Sequence, residues 1–248
     1  MLRMLRDMEA VRLEGLTCMI LPKMVEMVSI RKTRSPGLCV AFALAIASIA
    51  SGCGGVPTQD RQSDEAGTNG EANIKRNVKP EADAEAAVIE TEFGAIVIEL
   101  YPNLAPRAVE RFKKLISEGF YNGTAFHRVE DEVIQGGDPN SRDADPSNDG
   151  MGGSDYPDLP AEFSDVPFER GIVGGARSRS INSANSQFYI TLRRVPRWDE
   201  DYTVFGRVIQ GMGNADVIST APVRTGTKNP DPPIFIKRIT LQPRTDFK

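Results

Sequence analysis

From residue 87 onward the chain is written as short β-branched runs, each stopped by a turn. Ala87-Val88-Ile89-Glu90-Thr91 and Ala95-Ile96-Val97-Ile98-Glu99-Leu100 flank Glu92-Phe93-Gly94, the pattern of a hairpin. Phe126-His127-Arg128-Val129 and Val133-Ile134-Gln135 flank the charged turn Glu130-Asp131-Glu132, a second hairpin that brings Arg128 and Gln135 close together. Further strands follow at Ile172 to Ala176, Gln187 to Leu192, Thr203 to Ile209 and Ile234 to Leu241. Helical spacing shows where Val109, Phe112, Leu115 and Ile116 recur behind Pro106 until Gly119, and a shorter helix is expected at Asn214 to Ser219. Many short strands and two helices predict a mainly β domain closed into an antiparallel barrel. Between Asp138 and Glu162 the density of Gly, Pro, Asp, Asn and Ser reads as loop. Asp143, Asp145, Asn148 and Asp149 lie in it without the ligand periodicity and closing glutamate of an EF-hand, so they read as a solvated loop.

Composition changes sharply ahead of that domain. The chain carries 30 basic and 34 acidic residues; the first 53 hold seven and four of them, leaving 23 and 30, a net charge of −7. A folded part of that sign has no electrostatic footprint for nucleic acid. Cys18, Cys39 and Cys53 all fall within the leader, so no disulfide or zinc framework serves the folded part. Arg31-Lys32-Thr33-Arg34 before the apolar run Leu38 to Ala50 has the layout of an export signal, and the run is too short to span a bilayer comfortably. It ends in Ala50-Ser51-Gly52-Cys53, which resembles the bacterial lipobox with Ala50 where leucine is usual. Met24 and Met27 suggest a start codon placed too far upstream. The expected organisation is a leader over residues 1–53, a flexible acidic and polar linker over 54–86 and a folded domain over 87–248. The expected location is the periplasmic side of the cell envelope, the chain being exported and held to a membrane by lipid on Cys53.

The chemistry follows from what Arg128 and Gln135 can do. A guanidinium and an amide on one face can hold a peptide backbone, and neither is a nucleophile or a proton-transfer group near neutral pH. They suit a reaction in which no covalent bond breaks, such as rotation about the peptide bond before proline. His127 is the one histidine, so any hydrolase triad would need it, yet it alternates away from Arg128. It reads as a packed, hydrogen-bonded strand residue.

Four motifs now sharpen that reading. The central stretch Phe126 to Val129 with Val133-Ile134-Gln135-Gly136-Gly137-Asp138 resembles the signature of the cyclophilin-type peptidyl-prolyl isomerases. Ile172-Val173-Gly174-Gly175-Ala176-Arg177, Asn185-Ser186-Gln187-Phe188-Tyr189-Ile190 and Tyr202-Thr203-Val204-Phe205-Gly206-Arg207-Val208 resemble later segments of the same family, in the same order, over about residues 87 to 242. The resemblance implies a closed eight-stranded antiparallel β-barrel capped by two α-helices. It implies a catalytic role for Arg128, with Gln135 holding substrate backbone and arginine in register. It also implies a proline pocket and substrate groove from Val133, Ala176, Arg177, Gln187, Tyr189, Trp198 and Tyr202. No cofactor is implied. The implied partners are X-Pro segments of unfolded or partly folded proteins, with the chain acting as a monomer. One departure matters: the central hairpin is a residue short, which places Glu132 where the family has a pocket phenylalanine. An acid there would weaken the apolar slot and could draw Arg128 away. The alternative to an exported isomerase is therefore a low-activity module that binds proline peptides or scaffolds on the same fold.

Overall fold

In the computed structural model, which describes residues 73–143 and 145–247, the alternating runs become eight strands. The leader, Cys53 and the linker up to residue 72 lie outside the described residues. β1 (Glu85–Thr91) and β2 (Gly94–Leu100) form the expected hairpin, with Gly94 at a positive φ of 115°. Then come α1 (Pro106–Ser117), β3 (Arg128–Glu130), β4 (Val133–Gly136), β5 (Ile172–Gly175), β6 (Phe188–Thr191), β7 (Val204–Gln210), α2 (Met212–Ser219) and β8 (Arg238–Pro243). Every strand pairing is antiparallel, in the order β3-β4-β6-β5-β7-β2-β1-β8.

The expected closed barrel is corrected by that order: the sheet is a curled half-barrel whose edges, β3 and β8, share no ladder. The reason lies in the run read as one strand from Ile234. Ile234 and Ile236 exchange three backbone bonds with the segment before β3, namely Gly123 N to Ile236 O, Ile236 N to Thr124 O and Phe126 N to Ile234 O. From Arg238 the chain pairs with β1 instead. Pro230, Pro232 and Pro233 just upstream have no N–H with which to extend the first pairing along β3.

The core forms where the curled sheet meets α1. Val109, Phe112, Leu115 and Ile116 give the helix one buried stripe, and the Phe112 ring lies 5.2–5.4 Å from those of Tyr121, Phe188 and Phe205. Ala105, at the N-cap, has no side chain able to cap. Glu162 of the long loop does so instead, its carboxylate accepting from the N–H of Arg107 and of Ala108, where the helix dipole also favours an acid. That loop is ordered from within: buried Asp138 accepts from the backbone N–H of Asn140, Gly150 and Gly152.

The last part of the expected linker is laid on the domain. Lys75 bridges to Ser164, and its ammonium donates to the carbonyls of Asn103 and Leu104 at 3.1 and 2.8 Å. Val78 packs against the apolar cluster that includes Leu104. Composition conceals this attachment because it runs through backbone bonds, Lys75, the Arg76–Glu200 pair and the single Val78 rather than through a run of large apolar side chains.

Candidate active site

Arg128 and Gln135 are direct cross-strand partners, so their side chains leave the same face of the sheet. Arg128 Nη1 donates to Gln135 Oε1 at 3.3 Å, Gln135 Nε2 to Gln187 Oε1 at 2.9 Å, and Gln187 Nε2 to the Gly152 carbonyl at 2.8 Å. These three residues thus form one polar row, anchored at its far end on the loop that Asp138 organises. The Arg128 side chain remains 38% exposed.

A cleft of about 440 Å³ opens beside the row, lined by Gln135, Gly152, Ala176, Arg177, Asn185 and Gln187 among others. Arg177 stacks 4.4 Å from the centre of the Tyr202 ring and pairs with Asp201 at 2.8 Å. Serines line the cleft too, but they serve structure: Ser154 Oγ donates to Asn185, while Ser178 and Ser183 bond to each other. His127 is buried and packed as expected beside the Ala125 backbone and the Gln187 side chain, although neither ring nitrogen makes a hydrogen bond of ordinary geometry. Burial lowers its pKa below the ordinary histidine value, with the nearby Asp138 charge acting the other way.

On the other side of the row stands an aromatic cluster. Tyr189, opposite Gln135 in the sheet, lies 4.9 Å from Trp198 and 5.9 Å from Tyr202, and those two rings are 5.6 Å apart. Val133 packs into the same cluster, so the residues expected to line the proline slot are brought together. Phe168, 6.0 Å from Tyr189, was missed; the apolar triplet Val166-Pro167-Phe168 at the end of the long loop was the available signal. The cluster is largely sealed, since Val133 is 1% and Tyr189 3% exposed, while Ala176, Trp198 and Tyr202 are half-buried at its rim. Gly174 permits the sealing: a Cβ there would sit 2.5 Å from the Tyr189 ring. The Tyr189 hydroxyl is buried without a partner, and desolvation pushes its pKa well up, so the phenol stays neutral.

Glu132 does not enter the slot or bind Arg128. Its carboxylate accepts from Arg197 and from Arg193, the latter at 3.1 Å, and the bonds from Arg197 first of all hold its pKa down to about 2. The acid beside Arg128 is Glu130, which accepts from Arg128 Nε at 2.5 Å.

The curled antiparallel sheet thus presents fixed donors between a groove and an aromatic cluster. Residues 86–241 match the family described as Cyclophilin type peptidyl-prolyl cis-trans isomerase/CLD, and the chain belongs to this enzyme family. It is 48% identical over 158 residues to a Probable peptidyl-prolyl cis-trans isomerase of Brucella suis, covering 60% of this chain and 81% of that one. Peptidyl-prolyl cis-trans isomerase-like 3 of Mus musculus is 34% identical over 163 residues, covering 63% and 95%. A cyclophilin type peptidyl-prolyl cis-trans isomerase of Cryptosporidium parvum, crystallised in the presence of the dipeptide Ala-Pro, superposes with a TM-score of 0.58 at 29% identity, covering 63% of this chain and 98% of that one.

Proposed function

We propose that the chain accelerates rotation about X-Pro bonds in unfolded or partly folded exported proteins, with Arg128 stabilising the twisted amide. The observation that carries this is the row Arg128–Gln135–Gln187 lying between an open cleft and an aromatic cluster. The barrier to rotation, roughly 18–20 kcal/mol, exists because the amide nitrogen shares its lone pair with the carbonyl. A guanidinium donor aimed at that nitrogen binds the pyramidal form better than the planar one, which is differential stabilisation. Gln135 occupies one Nη1 donor and leaves the Nη2 edge for substrate. The proline ring would rest against Trp198 and Tyr202, over the floor of Val133 and Tyr189. The flanking chain would run along Gln187, Ala176 and Arg177. The Ala-Pro dipeptide present with the Cryptosporidium protein supports a proline-bearing peptide as ligand.

The test is a proline-isomerisation assay on the full chain without added metal or nucleotide. Acceleration by wild type that is abolished in Arg128→Ala supports the reading; equal rates in the two overturn Arg128 as the catalytic group. Burial of Val133 and Tyr189 favours a second reading, a module that binds proline peptides with little turnover. Saturable peptide binding with no acceleration would select it. The leader sequence supports export, with lipid on Cys53. Two or more acyl chains on Cys53 would hold the chain stably to the membrane where one would not. Intact mass of the membrane fraction tests this, and an unmodified Cys53 rejects it.

A further inference from the structure

We infer that Glu130, clamped by Lys228, is a positioning residue that fixes the Arg128 guanidinium for the reaction. The inference rests on Arg128 being the catalytic group. In a three-residue strand the period of two places Arg128 and Glu130 on one face, and the register sets Glu130 opposite Val133 at the floor of the aromatic cluster. Glu130 Oε1 accepts from Arg128 Nε at 2.5 Å and from Lys228 Nζ at 2.5 Å. Lys228 does not arrive by chance, because its carbonyl accepts from the N–H of Val129 at 2.9 Å, the residue between Arg128 and Glu130 in the strand. The loop that leads from α2 to β8 is thereby stapled to β3 at backbone and side chain.

The guanidinium is consequently held from two directions. Glu130 takes the Nε edge and Gln135 one Nη1 hydrogen, so two of its five donors are engaged and the remainder are left for a substrate. Free in solvent, an arginine side chain samples many rotamers, and a donor that wanders is worth less to a transition state than one already placed. Burial works to raise the Glu130 pKa, but the bonds from Lys228 and Arg128 outweigh it and hold the pKa below the ordinary carboxylate value. The acid is thus ionised wherever the arginine must be held. As a source of stability the exposed pair counts for little, so its effect belongs in turnover.

The experiment compares full-length wild type, Arg128→Ala, Glu130→Ala and Glu130→Gln in the isomerisation assay, with Tm as fold control. The Nε–H resonance of Arg128 is followed by NMR in the wild type and the Glu130 variants. Glu130→Ala is expected to lower kcat by ~10-fold with KM within about twofold and Tm nearly unchanged. Its Arg128 Nε–H signal should be lost to solvent exchange. Glu130→Gln keeps an acceptor in the same place and should recover most of both readouts. Glu130→Ala at the wild-type kcat beside an inactive Arg128→Ala overturns this inference alone, as does a Glu130→Gln no better than Glu130→Ala. An inactive wild type, or Arg128→Ala at the wild-type rate, overturns the parent reading and takes this inference with it.

Discussion

The polar row and the aromatic cluster meet on β4 and β6, yet they are assembled in different ways. Arg128, Gln135 and Gln187 are placed by strand register or from a position adjoining a strand, so each is fixed by the backbone ladder around it. Phe168, Trp198 and Tyr202 come from segments between strands, joined to the sheet by packing, by a few backbone bonds and by ion pairs: Glu132 with Arg193 and Arg197, Asp201 with Arg177. The donors that would do chemistry are thus set in the strand ladder, and the surface that would recognise proline is carried on loops tied in part by ion pairs near the surface. Rigidity is where transition-state stabilisation needs it. Adaptability is where substrates differ.

The largest effect should come from separating the two regions kinetically. On the proposed mechanism Arg128→Ala removes a donor that acts in the twisted state, and it should lower kcat by ~100-fold or more with KM little changed. Trp198→Ala removes rim surface that contacts ground state and transition state alike, so KM should rise severalfold with kcat nearly kept. Steady-state parameters for both variants decide it. A loss in KM for Arg128→Ala, or in kcat for Trp198→Ala, would break the division between chemistry and recognition.

Next in size are changes to the packing at the join. Gly174→Ala puts a methyl 2.5 Å from a Tyr189 ring that is buried and cannot swing aside. Overpacking of this kind costs about 1–3 kcal/mol, read as a fall in unfolding free energy. Tyr189→Phe should act in the opposite sense, because it deletes a buried hydroxyl with no partner. A gain of about 1 kcal/mol would raise Tm by roughly 2–4 °C in a domain of this size. A fall in Tm for Tyr189→Phe would mean that the hydroxyl is satisfied after all and that the cluster is looser than its burial implies.

What could be read from sequence follows the same division. The hairpin that unites Arg128 with Gln135 is local, so alternation and a charged turn were sufficient to find it. The identity of the cluster was legible through motif resemblance, but its burial was not. Exposure of Val133 and Tyr189 depends on Phe168 and on the loops that carry Trp198 and Tyr202, which no local pattern encodes. Barrel closure failed for a related reason, since the run from Ile234 looks like one strand although it changes partner midway. Glu132 was misplaced because counting along a shortened turn fixes position in the chain and leaves direction open. Arg193 and Arg197, some sixty residues away, decide where its carboxylate goes.

The smallest effect belongs to that rim. Glu132 has a folded-state pKa of about 2, well below the roughly 4.3 of an unfolded glutamate. A depressed carboxylate pKa means that its contribution to stability is fully present above the unfolded value and is lost as pH falls from there toward about 2. Glu132→Gln has no charge to lose, so its unfolding free energy should decline less than that of wild type between pH 5 and 2. Asp83, Glu130 and Asp199 are depressed as well, so wild type and variant share most of the acid slope and only the difference between them reports on Glu132. Because the pair sits near solvent the difference should be at most about 1 kcal/mol, and it should shrink further in high salt. At pH 7 the turnover of Glu132→Gln should stay within about twofold of wild type, since neither Arg193 nor Arg197 belongs to the polar row. Identical acid profiles for the two proteins would show that the arginines do not hold this carboxylate, and would free it to approach the slot.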